Sequence, residues 1–200
     1  MVRTLYQFPM AHHAEKNAMN IDALRKLVVP GFEHDLYKAI DDDVLSALRK
    51  LKRKHINAFF FEGLTSDLDT GEYVLSEKYL RKLSDFAYER GINAKKTENG
   101  SSLYSHFLML NTYALLENFS RRITRNPLVF GVLNKLDKIF SDKRDYSMAR
   151  HIDEGLGEGQ TGAIIHGIKH NLERYLADDI IVRTYEPKNC LNVIKKYGLM

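Results

Sequence analysis

Three segments of this chain end in polar groups that a packed core has no use for. His12 and His13 follow the segment TLYQFPM at once, Glu62 follows three phenylalanines in INAFFFEGL, and His166 and His170 bracket a glycine in AIIHGIKH. Acids are rarely buried without a partner. A strand that only packed would more usually run into Asn, Asp, Gly or Ser. Imidazoles and carboxylates are groups that move protons near neutral pH and that ligate metals. Two imidazoles and one carboxylate, His12 or His13 with Glu62 and His170, could hold a divalent ion such as Mn²⁺, Co²⁺ or Zn²⁺ with positions left open. The same groups could instead activate a water directly, a histidine acting as base and the carboxylate orienting it.

For these residues to meet, the segments before them must lie side by side. Residues 4–10 have strand composition, with Pro9 tolerated at an edge or an end. The apolar run over residues 56–64 reads as a buried strand, and residues 163–165 as another. Gly167 lets the backbone bend as the chain leaves that last strand. His170 then falls at the start of a helix expected over 171–176. In a parallel sheet the C-terminal strand ends share one edge, where ligands bind. His12 and His13 are adjacent, so in a continuing strand they point to opposite faces and one at most enters the site. His166, inside its strand, stands behind the site or faces a covering helix.

The remaining elements follow from periodicity and caps. A helix is expected over 21–29 with Asn20 as its N-cap, and a second over 42–54 with Val44, Leu45, Leu48 and Leu51 at helical spacing. A third runs from Ser76 to about Arg90, where Gly91 stops it, and a short strand over 92–98 follows. From 101 to about 155 the pattern is helical throughout: one long amphipathic helix to Arg125, then helices over 127–140 and 142–155. A final strand (IIVRTYEP) and a helix over 189–197 close the chain. The expectation is one α/β domain over residues 1–200: a mainly parallel sheet flanked by helices, with a large helical insertion at about 101–157 between the early and the final strands.

Bulk composition narrows the class. The 200 residues are 44% hydrophobic and 28% charged, which suits a folded core rather than a disordered chain. No apolar run is long enough to span a membrane, and the first residues lack a secretory leader, which sets the expectation at the cytoplasm. The single cysteine, Cys190, has no partner for an internal disulfide and reads as structural. The net charge is +4. Its densest basic stretches, RKLKRKH and SRRITRN, fall on expected helices, where a solvated face or a helix C-terminus accounts for them more readily than phosphate binding does. GLGEGQTG is glycine-rich but lacks the lysine–hydroxyl ending of a phosphate-binding loop.

The order of the motifs resembles the TraB/TIKI/GumN family, part of a wider superfamily with the erythromycin esterases and ChaN-like proteins. The pieces are PMAH (9–12), FFFEGL (59–64), KRDYSMARHI (143–152) and GIKH (167–170), which together cover most of the chain in order. The resemblance implies an α/β fold and a hydrolytic site built from His12, Glu62 and His170. Arg144 would bind a substrate carboxylate or orient Glu62. Where the family usually shows Glu-Arg-Asn this chain has Lys-Arg-Asp, so Asp145 would add a ligand or pair with Arg144. His13, Asp145 and His166 would support the reacting groups.

Three functions are compatible with these readings. The first is a hydrolase of a peptide or ester bond, metal-dependent or using a histidine-activated water. The second is a non-catalytic metal- or ligand-binding protein of the same fold. The third is a nucleic-acid-associated protein using its basic helices. The expected partner is a small-molecule or peptide substrate rather than a membrane or a nucleic acid. The long central helices, richer in apolar residues than a small sheet can cover, could also form a homodimer.

Overall fold

The computed structural model describes residues 1–10, 31–67, 78–101, 103–106, 108–109, 112, 126–167 and 170–197. His12, His13, the helix expected over 21–29 and most of the second half of the helix expected up to Arg125 lie outside them. Five strands form one all-parallel sheet: β1 (Arg3–Met10), β2 (Ala58–Phe61), β3 (Ala94–Lys95), β4 (Thr161–Gly167) and β5 (Ile180–Thr184), in the order β3-β2-β4-β1-β5. Among the described residues the helices include α1 (Phe32–Leu51), α2 (Lys78–Glu89), α3 (Pro127–Gly155) and α4 (Lys188–Lys196). The described residues between 100 and 112 are helical too.

Side-chain alternation along the strands builds a core on each face of the sheet. Tyr6, Phe8, Phe59, Phe61 and Ile165 point to one face, packed with α1 residues such as Ile40, Val44 and Leu51 and with Phe86 of α2. Leu5, Phe60 and Ile164 point to the other, against Met148 and Ile152 of α3. Glu62 keeps the parity of Phe60, and His166 that of Ile164. Both therefore fall on the α3 face.

Several boundaries differ from the sequence expectation, each for a local reason. Gly31, at φ +90°, opens α1 at Phe32, so Asp41, Asp42 and Asp43 lie inside the helix rather than at its N-terminus. Two of those acids act on neighbouring elements instead. Asp41 takes Lys82 of α2 at 2.8 Å. Asp43 accepts from the backbone N–H groups of Asn189 and Cys190, at 3.2 and 2.9 Å, and so caps α4. Leu45, expected in the apolar stripe, is 41% exposed, and Ala47 takes its place in the core.

The two helices expected over 127–140 and 142–155 are one. Asn126 caps it, Oδ1 accepting from Leu128 N–H at 2.9 Å with Pro127 in the first turn, whereas Asp142 pairs with Arg174 and starts no new helix. The helix expected over 171–176 is only a 3₁₀ turn, Glu173–Tyr175. Asn171 N–H donates to Asp145, which ties down the first residue of that segment. Pro9 suits an edge by its chemistry, but β1 is an inner strand. The ladder with β5 ends at Gln7, so the missing N–H of Pro9 faces a side where, among the described residues, no strand remains to accept it.

Candidate functional site

The strand order places a topological switch point between β2 and β4. From β2 the chain goes on to β3 at one side; from β4 it goes on to β5 at the other, past β1. In open α/β sheets, ligands bind at such points, where neighbouring strands send their connections apart. Glu62 follows β2 at this point, its N–H still donating to Ile165 O at 2.9 Å. Its side-chain Oε2 accepts from the Gly167 N–H where β4 ends. The two strand ends are thus joined through one carboxylate.

Among the described residues, two cationic side chains meet Glu62, and each brings acids of its own. Arg144 of α3 donates from Nη2 to Glu62 Oε1 at 2.7 Å and grips Glu98 from both Nε and Nη2, each at 2.7 Å. Glu98 is fully buried. It arrives because Thr97 is pinned to the end of β2, its N–H donating to Leu64 O at 2.8 Å and its hydroxyl to Phe61 O at 2.5 Å. Gly63, at φ +83°, turns its N–H toward Glu98 Oε1 at 2.9 Å. His170 bridges two acids: Nδ1 bonds Asp145, and Nε2 lies 3.0 Å from Glu62 Oε1. Asp145 Oδ2 also accepts from Asn171 N–H at 3.0 Å.

The proton inventory follows from these partners. Burial works to lower the His170 pKa, but the charge of Glu62 and the hydrogen bonds to Asp145 and Glu62 outweigh both it and the opposing charge of Arg144. His170 is pushed up to about 10. It is an imidazolium at neutral pH, donating from both nitrogens. Burial likewise works against the Arg144 charge, and Glu98 and Glu62 overcome it, so the guanidinium stays charged. His106 Nδ1 lies 3.2 Å from Arg144 Nη1, which can only donate. That nitrogen must therefore accept, and the proton of a neutral His106 sits on Nε2, 3.1 Å from Asp137 Oδ1. His166 donates from Nδ1 to Gly167 O at 2.9 Å, and its ring stands edge-on to that of His170 with centroids 6.3 Å apart.

The structure therefore brings together Glu62, His170, Arg144 and Asp145, with His166 behind them. His12 and His13 are outside the described residues. Two members of the network are not among the expected site residues: Glu98, and His106, which reads from the sequence as incidental. Glu98 carries a signal of the same kind as Glu62, an acid just beyond a strand and before a glycine-containing turn. His106 carries none, since one histidine on a long helix has no local mark.

The donor set among the described residues does not fit a divalent ion. Both ring nitrogens of His170 are engaged with carboxylates, and Arg144 places a fixed positive charge on the oxygen of Glu62 that would have to coordinate. No group of three His, Cys, Asp or Glu side chains among the described residues is arranged to hold a metal. Compared with known proteins, the chain matches no family model, no curated protein and no solved structure.

Proposed function

We propose that this chain is a hydrolase of a peptide or ester bond, of the TraB/TIKI-like type, in which Glu62 and His170 form an acid–base pair. The observation that carries the reading is His170 held between Asp145 and Glu62 at the switch point of the sheet. Asp145 orients the ring through Nδ1. Nε2 donates its proton to Glu62 Oε1 at 3.0 Å, so an acid and its acceptor stand side by side. A water entering between them could give its proton to the carboxylate while the imidazolium protonates the leaving group. Arg144 orients Glu62: its Nε, Nη1 and Nη2 already donate to Glu98, His106 and Glu62, which favours that role over gripping a substrate carboxylate.

The test is turnover of a panel of chromogenic esters and fluorogenic peptides by wild type, Glu62→Gln and His170→Gln. The expected result is turnover by wild type that falls at least about a hundredfold in either variant, with a rate that declines as pH rises through about 10, where His170 loses its proton. Turnover equal in all three proteins, or none with any substrate, would sink the reading and leave the ligand-binding alternative. A metal-dependent form of the same reading would require His170 and Glu62 to exchange these partners for the ion, with His12, from outside the described residues, as a further ligand. A thermal shift with Mn²⁺, Co²⁺ or Zn²⁺ that is lost in both His12→Ala and His170→Ala would select it.

A further inference from the structure

The first half of α3 carries an apolar row left open to solvent. Leu128, Val132, Leu136 and Ile139 recur at helical spacing on one side and are 80%, 56%, 37% and 49% exposed. Tyr146 continues the row and is exposed as well. Single apolar residues on a surface are ordinary; a row along about 17 Å of helix is not.

The charges around this row that have no partner among the described residues are of one sign. Lys135, Lys138 and Lys143 are exposed and have no acidic partner among the described residues. The acids of the same stretch are already taken: Asp137 by His106, Asp142 by Arg174 and Asp145 by His170. In sequence the helix is preceded by Arg121, Arg122 and Arg125.

We propose that this face of α3 lies on an anionic lipid surface, its apolar row in the boundary between headgroups and acyl chains and its lysines on acidic headgroups. An amphipathic helix needs no shaped pocket for this, only an apolar face with flanking cations. A second copy of the chain, related by a two-fold axis, would set the same lysines against one another. Nucleic acid would use the cations and leave the apolar row in water. The expectation of no membrane partner rests on the lack of a spanning segment. No helix among the described residues is long and apolar enough to cross, and a helix lying in the interface does not require one.

The test is co-sedimentation of the full chain with vesicles of phosphatidylcholine alone and of phosphatidylcholine with phosphatidylserine, at low and moderate salt. Binding should require phosphatidylserine. It should weaken at least about tenfold in Lys135→Glu/Lys138→Glu and also in Leu128→Ser/Ile139→Ser, with thermal unfolding of both variants close to wild type. No binding to the anionic vesicles, equal binding to both kinds, or no loss in either variant would overturn the proposal. So would a dimer in light scattering that Leu128→Ser/Ile139→Ser abolishes, or binding to duplex DNA or RNA in place of vesicles.

Discussion

Replacing Glu62 by Gln should release the proton that His170 holds. An ordinary histidine titrates near 6.5, and this one is pushed up to about 10. Glu62 Oε1 stands 3.0 Å from Nε2. At an effective dielectric of about 20, a unit charge at that distance is worth about 5 kcal/mol, or about 3–4 pH units. The glutamine keeps the volume and removes the charge, while burial and Arg144 continue to oppose the imidazolium. The His170 pKa should therefore fall by about three pH units or more.

Folding stability carries the same quantity with a definite sign. The proton is bound more tightly in the folded chain, so its contribution is complete below pH 6.5 and is lost as pH rises through about 10. Wild-type stability should fall by about 1.4 kcal/mol per pH unit across that window, and Glu62→Gln should flatten the slope. The variant should also lose about 3–5 kcal/mol near neutral pH, because Arg144 is left buried with one partner fewer. Histidine-ring NMR titration and urea denaturation across the window measure both effects. A wild-type His170 that titrates at its ordinary value, or a Glu62→Gln protein that titrates as wild type does, would refute the reasoning.

Three other substitutions test the frame that holds the site. Arg144→Lys keeps a charge but cannot reach Glu62, Glu98 and His106 together, so it should cost about 3–5 kcal/mol in urea denaturation and change the His106 ring signals. Asp43→Ala removes the acceptor for the first N–H groups of α4; it should cost about 1–2 kcal/mol and raise amide exchange in that helix, with the His170 titration unchanged. Gly162→Ala would bring a Cβ to 3.2 Å from both Leu156 Cδ1 and Phe60 Cε2. It should cost about 1–3 kcal/mol by overpacking, again read by denaturation.

The sheet is legible in the sequence because its strands announce themselves locally. Phe59 to Phe61 and Ala163 to Ile165 are apolar runs of strand length, and parallel pairing follows from the helices between them. Boundaries are less legible where a distant side chain decides them. Nothing near Asn171 says that its N–H will be taken by Asp145, and nothing near Asp43 says that it will cap a helix about 145 residues later. In the site, Glu62 and His170 stand out because their types conflict with their apolar surroundings. Glu98 and His106 become members only through Arg144, and an arginine inside a helix does not reveal which acids it will meet.

A second buried arginine shows why the Arg144 network reads as more than a structural clamp. Arg3, at the opposite edge of the sheet, donates to Asp153 and Asp179 and to the carbonyl oxygens of Asp153 and Leu156. That is what holding a strand to the C-terminal end of α3 requires, and its acids are left half-exposed, where their solvation costs little. Arg144 has instead two acids that are almost wholly removed from water, and a histidine held by one of them and by a third. Among the described residues two cations face three carboxylates, a cluster that apolar residues of similar volume would often match or exceed in stability. Packing alone therefore does not account for it. What the extra charges supply is a histidine kept protonated well above neutral pH, beside an acceptor, at the C-terminal edge of the sheet.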